Sequence, residues 1–436
     1  MKLFATAAAV AALLVAAAPL NAETIAITGG RVATVANPEP VDGATVVIRD
    51  GRIVAVGTGV AVPAGARVID ASGKWVTPGL IAGNSLLGLI EVDAVDQTND
   101  SEARKSPWSA AIDVSTGLNA RATPVAVARL GGVTRAAVQP EAGDSIFGGQ
   151  GALITLAAGE DILLRPRAFQ FIELGEEGAR KAGGSRPAAW LELRNALQEA
   201  QRYARNPTAY SDGRDREALV TRLDAAALVP VVEGRMPLMV HVDRASDILN
   251  VLRLPQEFPK VRLILLGARE GWTVANQIAA AKVPVITMAL MDLPDGFESL
   301  ASTRSNAGRL VAAGVLVGLG MTTDGSGNQP RNLPQQAGNA VAQGRLPGAV
   351  GLTPAQALAA MTRSNARILG MDDVGTLEAG KAADVVVWDG DPLELSSAPS
   401  TVIIGGVVQP TVSRQTMLRD RYISLQHDQL PLAYPR

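Results

Sequence analysis

Histidine and cysteine, the side chains that most often grip a catalytic metal or attack a substrate, are nearly absent from this chain. There are 0 cysteines, so thiolate metal sites, disulfides and thiol nucleophiles are excluded. There are 2 histidines, His241 and His427, and imidazole is the commonest protein ligand for catalytic zinc. His241 lies in an apolar run, Leu238-Met-Val-His241-Val, whereas His427 stands beside Asp428 in a charged tail and is expected to face solvent. Ser85 ends another apolar run. A serine nucleophile needs a base within reach, and His241 is its only candidate. The acidic run Glu91, Asp93, Asp96, Asp100 and Glu102 lacks the glycine-centred loop of a calcium site and reads as a solvated face. Gly148-Gly-Gln-Gly151 lacks the lysine of a phosphate loop; it reads as a turn that carries a loop inward rather than as a cradle of N–H groups for an anion.

The elements that must position these groups are legible in outline. With 436 residues, 47% of them hydrophobic, the chain can bury a large barrel and a smaller domain. A net charge of -2 gives no electrostatic case for nucleic acid or an anionic membrane, and 3% aromatic content leaves little for stacking bases. Lys2, the apolar run from Leu3 to Ala18 broken by Thr6, and Pro19-Leu-Asn-Ala22 read as a cleaved signal peptide over residues 1–22. The run is shorter than the ~20 residues of a spanning helix. The expectation is therefore a periplasmic or secreted protein without stable membrane insertion after cleavage.

From Ile25 to Gly79 the pattern is one of short strands and turns, including a hairpin in which Asp50-Gly51 joins Thr45–Arg49 to Arg52–Val56. From Leu80 to about Ala366 apolar strands alternate with amphipathic segments, as in βα units. Candidate strands are 134–138, 152–156, 238–242, 262–266, 284–288 and 316–319. A helix is predicted over 187–203 with Leu191, Leu193, Ala196, Leu197 and Ala200 as apolar contacts, and others follow near 246, 272–280 and 305–313. Thr353-Pro354 starts a further helix with a capping hydroxyl and an early proline. After Gly370 the chain returns to β character at 383–388 and 401–404. The predicted division is a β-sandwich domain from 23–79 and 367–412, a barrel over 80–366 and a charged tail over 413–436. Neither β segment can bury a core alone, so the simplest packing joins both into one unit.

Several motifs carry a family likeness over nearly all of the mature chain. Gly43-Ala-Thr-Val-Val-Ile-Arg-Asp-Gly-Arg-Ile-Val-Ala-Val-Gly57, Val76-Thr-Pro-Gly-Leu-Ile81, Gly351-Leu-Thr-Pro-Ala-Gln-Ala-Leu358 and Gly375-Thr-Leu-Glu-Ala-Gly-Lys-Ala-Ala-Asp-Val-Val-Val-Trp388 resemble the amidohydrolase superfamily. Gly131-Gly-Val-Thr134 and Gly148-Gly-Gln-Gly151 resemble its imidazolonepropionase-related and secreted prolidase-like branch. The resemblance implies an α/β fold, a distorted (β/α)8 TIM barrel with a small β-sandwich, and one or two metals at the carboxyl ends of the strands. It also implies a hydrolase acting on carbon–nitrogen bonds of a cyclic amide or small peptide-like substrate.

The family's ligands map poorly onto this sequence. The first-strand histidine pair falls on Asn84 and Leu86. The bridging position of the middle strands has no clear counterpart, with Thr155, Phe171 and Glu173 nearby. His241 matches the next ligand, the following histidine has become Gly267, and the last-strand catalytic aspartate falls on Thr322 in strict register, with Asp324 two residues on. The implied site is thus His241, Asn84 and Asp324 as metal ligands, with Asp324 as proton shuttle around a single zinc. Three expectations follow: a hydrolase with a reduced metal site, a catalytically inactive barrel paired with an active homologue in a homo- or hetero-oligomer, or a barrel that binds a small amide or peptide-like ligand.

Overall fold

The computed structural model describes residues 23–92, 94–208, 218–321 and 327–423. The expected signal peptide, Asp93, Thr322, Asp324 and His427 lie outside them. Two eight-stranded sheets organise the chain. The first combines both sequence ends. It runs β16 (Val407–Val408), β15 (Pro399–Ile404), β14 (Val385–Trp388), β5 (Trp75–Pro78), β1 (Ile25–Val32), β2 (Val41–Arg49) and β3 (Arg52–Gly57), with β4 (Arg67–Asp70) paired to β1. Asp50 and Gly51 both have positive φ, 52° and 74°, as a tight two-residue hairpin requires. Ile25, Ile27, Val46, Ile48, Val385, Val387 and Ile403 form the buried core of this sheet, so neither chain end closes it alone.

The second sheet is a nearly closed barrel in the order β13 (Val317–Leu319), β12 (Val285–Thr287), β11 (Leu263–Gly267), β10 (Leu238–Val242), β9 (Leu163–Glu173), β8 (Phe147–Thr155), β7 (Val133–Val138) and β6 (Leu80–Ala82). The α/β barrel expected from the sequence is therefore present. One strand departs from a regular alternation: β8 is antiparallel to both β7 and β9. The connections on either side of β8, over 139–146 and 156–162, hold no helix, and antiparallel pairing needs no crossover.

This corrects the reading of Gly148-Gly-Gln-Gly151 as a turn, because all four residues lie within β8 and are buried. Their small size has a packing cause. A Cβ at Gly151 would enter the ring of Phe169, and one at Gly148 would lie 2.8 Å from the Phe171 ring.

The helix Arg186–Arg205 is capped by Ser185, whose hydroxyl accepts from the Ala188 N–H, and carries Pro187 in its first turn. Leu193, Ala196, Leu197 and Ala200 are fully buried, a spacing of three and four that defines one face. Leu191 was expected on that face but is 65% exposed; two residues before Leu193, it points away from the stripe. Thr353 caps its helix ahead of Pro354, as the sequence there anticipates, and Gln356 completes a reciprocal capping box. Residues 414–422 form a helix capped by Ser413. Among the described residues, no helix is long and apolar enough to cross a membrane.

The two sheets meet through a part-buried ion pair. Arg135 on β7 pairs with Asp384, immediately before β14, at 2.7 Å. Trp388 is buried and donates its indole N–H to the Thr77 hydroxyl at 2.9 Å. The Arg135–Asp384 pair fixes the first sheet against the barrel wall, and the Trp388–Thr77 bond ties β14 to β5 within that sheet.

Candidate functional site

Strand register brings three chain segments together at the carboxyl end of the barrel. Glu173 ends β9 and stands opposite His241 on β10, which stands opposite Leu266 on β11. His241 Nδ1 lies 2.7 Å from Glu173 Oε1. Its Nε2 faces Asp243 Oδ2 at 4.0 Å. Asp243 in turn accepts the Arg269 backbone N–H at 3.0 Å and holds the Arg269 guanidinium at 3.2 Å. Arg269 also pairs with Asp295 on the loop after β12. The result is a chain of alternating charge running Glu173, His241, Asp243, Arg269, Asp295. Glu173, Asp243 and Arg269 are buried.

Burial by itself disfavours a charged imidazole. The Glu173 carboxylate outweighs this through its charge and its hydrogen bond, and Asp243 and Glu298 add to it, so His241 is raised to about 10. Burial also pushes Glu173 upward, against the opposing pull of His241. The two shifts describe one proton held tightly between the pair. It resides on the imidazole, which faces carboxylates on both ring nitrogens while Glu173 faces one cation.

The donor set does not fit a catalytic zinc, which wants about three protein ligands and an open position for water. A ligating imidazole keeps one nitrogen free for the metal; in His241 Nδ1 is bonded to Glu173, and Nε2 faces Asp243 and the close approach of Gly267. Gly267 has φ +82°, and a Cβ there would lie 2.6 Å from Asp243 Oδ1 and 3.0 Å from the His241 ring. The place where the resemblance puts a histidine is therefore filled by the ion-pair chain. Leu86 is buried. Among the described residues, no group of three or more His, Asp or Glu side chains could hold a metal ion.

Asn84 lies at the barrel seam. Its amide donates to the Met321 carbonyl, and its Oδ1 is buried without a hydrogen-bond partner, against Gly320. Asn84 and His241 thus belong to different arrangements, and Asp324 lies outside the described residues. Ser85 is buried and donates to the Ala137 carbonyl at 2.9 Å, which directs its proton to the backbone rather than to His241. Asp243 and Arg269 were missed in the sequence. The signal they left is positional: each is a charge two residues beyond His241 or Gly267, at the end of an apolar strand.

The Amidohydrolase family pattern matches residues 213–414. An amidohydrolase, tasK, from Hapsidospora irregularis is 26% identical over 381 residues, covering 80% of this chain and 38% of that protein. An imidazolonepropionase from Maricaulis maris is 32% identical over 157 residues, covering 35% of this chain and 36% of its own. The chain thus spans well under half the length of either relative. Among solved structures, an amidohydrolase from Thermotoga maritima superposes with a TM-score of 0.77 at 24% identity, covering 88% of this chain and 99% of that one. At that identity the likeness is one of fold.

Proposed function

Starting from the chain's membership of the amidohydrolase superfamily, we propose a protein of carbon–nitrogen hydrolase lineage whose metal centre has been rebuilt as an internal ion-pair chain, leaving a barrel that binds small amide or peptide-like ligands. The observation that carries this reading is His241, held between Glu173 and Asp243 beside a glycine that has no room for a side chain. The usual route needs a metal to bring the pKa of water towards ~7. With one imidazole among the described residues, and no group of three donors there that could hold a metal ion, the described side chains do not assemble that site. The family's hydrolase label is the expected description of the scaffold, and ligand binding is what its remaining chemistry supports. Export to the periplasm, read from residues 1–22, belongs to the same proposal.

The test is metal analysis of the purified full chain after incubation with zinc and desalting, together with hydrolysis assays on N-acyl amino acids, dipeptides and cyclic amides. The expected result is no stoichiometric metal, no turnover and no change of unfolding midpoint with a chelator. One zinc per chain with zinc-dependent hydrolysis would overturn the reading and point to Asp324 as part of a working site.

A second reading, a partner subunit of an active relative, draws on the loop after β12. Leu293, Phe297 and Leu300 are 75%, 82% and 65% exposed there, while Asp295 and Glu298 fasten the same loop to Arg269 and Arg186. Co-expression with a histidine-rich relative tests it: a stable complex that Phe297→Ser disrupts is expected, and two independent monomers would refute it.

A further inference from the structure

Outside the strand barrel, among the helices, lies a cavity of about 550 Å³, within the size range of small-ligand sites. It is bounded by the helix Arg186–Arg205, the start of the helix Arg222–Val232 and the stretch 107–110. None of Glu173, His241, Asp243, Arg269 and Asp295 lines it, so it is separate from the ion-pair chain. Pro107, Ala188, Leu191, Leu219 and Val220 give it accessible apolar surface. Leu191 and Leu219 are 65% and 85% exposed. Leu191 leaves the buried stripe of its own helix and stands at this cavity instead, where an apolar occupant would cover it. Exposed apolar groups gathered at one concave place differ from scattered surface leucines, and such places mark binding surfaces.

The charge in this cavity is of one sign. Two carboxylates line it, Glu192 and Asp224, and no Lys or Arg does. Asp224 is spent: it accepts from the Ser109 and Ala111 N–H groups at 3.0 and 2.8 Å and from the Thr221 hydroxyl at 2.7 Å. Glu192 is not. The Ser145 hydroxyl reaches it at 3.3 Å. Burial outweighs this bond and one from the Ile146 N–H, no charged neighbour bears on it, and its carboxyl is pushed upward. A part-buried carboxylate without a cation is costly beside apolar walls, and a cationic group entering the cavity would relieve that cost. Asn195 turns its amide N–H to Glu199 at 2.7 Å, which leaves its carbonyl oxygen as a further acceptor. An occupant must therefore bring its own donors and an apolar body. An anion would find no cation here, and a bare inorganic cation would leave the leucines uncovered.

We propose that this cavity binds a small apolar amine, its ammonium on Glu192 and its body against Leu191 and Leu219. Whether the barrel mouth holds zinc does not bear on this site. Isothermal titration of the full chain with phenethylamine tests it. The comparators are 3-phenylpropanoate, the same body carrying an anion, and methylamine, the same ammonium without the body. Saturable phenethylamine binding is expected, about tenfold or more tighter than either comparator. Glu192→Gln keeps the shape and the acceptor for Ser145 while removing the charge. It is expected to weaken phenethylamine about tenfold and to leave the unfolding temperature unchanged or slightly higher. Leu219→Ser, at an exposed position, is expected to weaken it about threefold without loss of stability. Either comparator binding as tightly as phenethylamine, no saturable phenethylamine binding, or an indifferent Glu192→Gln variant would each overturn the inference.

Discussion

At the β9–β11 side of the barrel mouth the strand ends are tied by charges, whereas at the β13–β6 seam they are tied by neutral amides. On the charged side Glu173, His241, Asp243, Arg269 and Asp295 alternate in sign. At the seam the Asn365 amide donates to the Ile81 and Leu319 carbonyls at 2.7 and 2.6 Å, and the Asn84 amide reaches Met321. Both arrangements hold strands whose ends carry metal ligands in the family the chain resembles. The difference is one of tolerance. A buried charge chain is stable only while every sign has its opposite, because an uncompensated ion in a low dielectric is very costly. A neutral amide loses only its own hydrogen bonds when cut. The seam is also the tighter place, with Asn84 and Asn365 packed directly on Gly320 and Gly318, and a small neutral group costs less to enclose there than an ion.

This contrast orders the expected effects of mutation. Arg269→Met removes the cation between Asp243 and Asp295 and leaves the buried Asp243 with only His241, at 4.0 Å, opposite it. A loss of about 3–5 kcal/mol is expected, measured by urea unfolding, and a loss no larger than that at the seam would break the comparison. Asn365→Ala strips two carbonyls of their donor, for a predicted cost of about 2–3 kcal/mol in the same assay.

Gly267→Ala introduces a Cβ 2.6 Å from Asp243 Oδ1 at a backbone φ of +82°. The strain is expected to cost about 1–3 kcal/mol. Unchanged stability would mean that the space beside His241 is open after all.

The gentlest test alters no residue. His241, raised to about 10 by its flanking acids, should show imidazolium chemical shifts by NMR through neutral pH. The sign of the stability effect follows from the raised pKa. The contribution is complete below about 6.5, the unfolded value, and is lost as pH rises through about 10. Glu173, pushed upward by burial, carries the same sign. A His241 titration near 6.5 would dissolve the charge chain as drawn.

Several features were readable from residues alone because they depend on near neighbours. The Asp50-Gly51 hairpin, the Thr353 cap and the strand holding His241 follow from turn chemistry, capping and apolar runs. Glu173 was named only as lying near a ligand position. Its pairing with His241 depends on register between strands separated by 68 positions. Leu191 and the glycines of β8 were misplaced for the same kind of reason. Whether a residue sits on a helix face or a glycine lies in a strand depends on what packs against it, here the Phe169 and Phe171 rings.

By itself the sequence determined the inventory: 0 cysteines, 2 histidines and an apolar alternation suited to a barrel. Composition and local pattern settle such matters because they concern which groups exist and how near neighbours fold. Only the tertiary structure decided what surrounds His241 and Asn84. Closure of the barrel brings Asp243 and Arg269 against His241 and sets Asn365 across the seam. Distances of a few ångströms between remote segments fix protonation and packing there, and no local pattern encodes them.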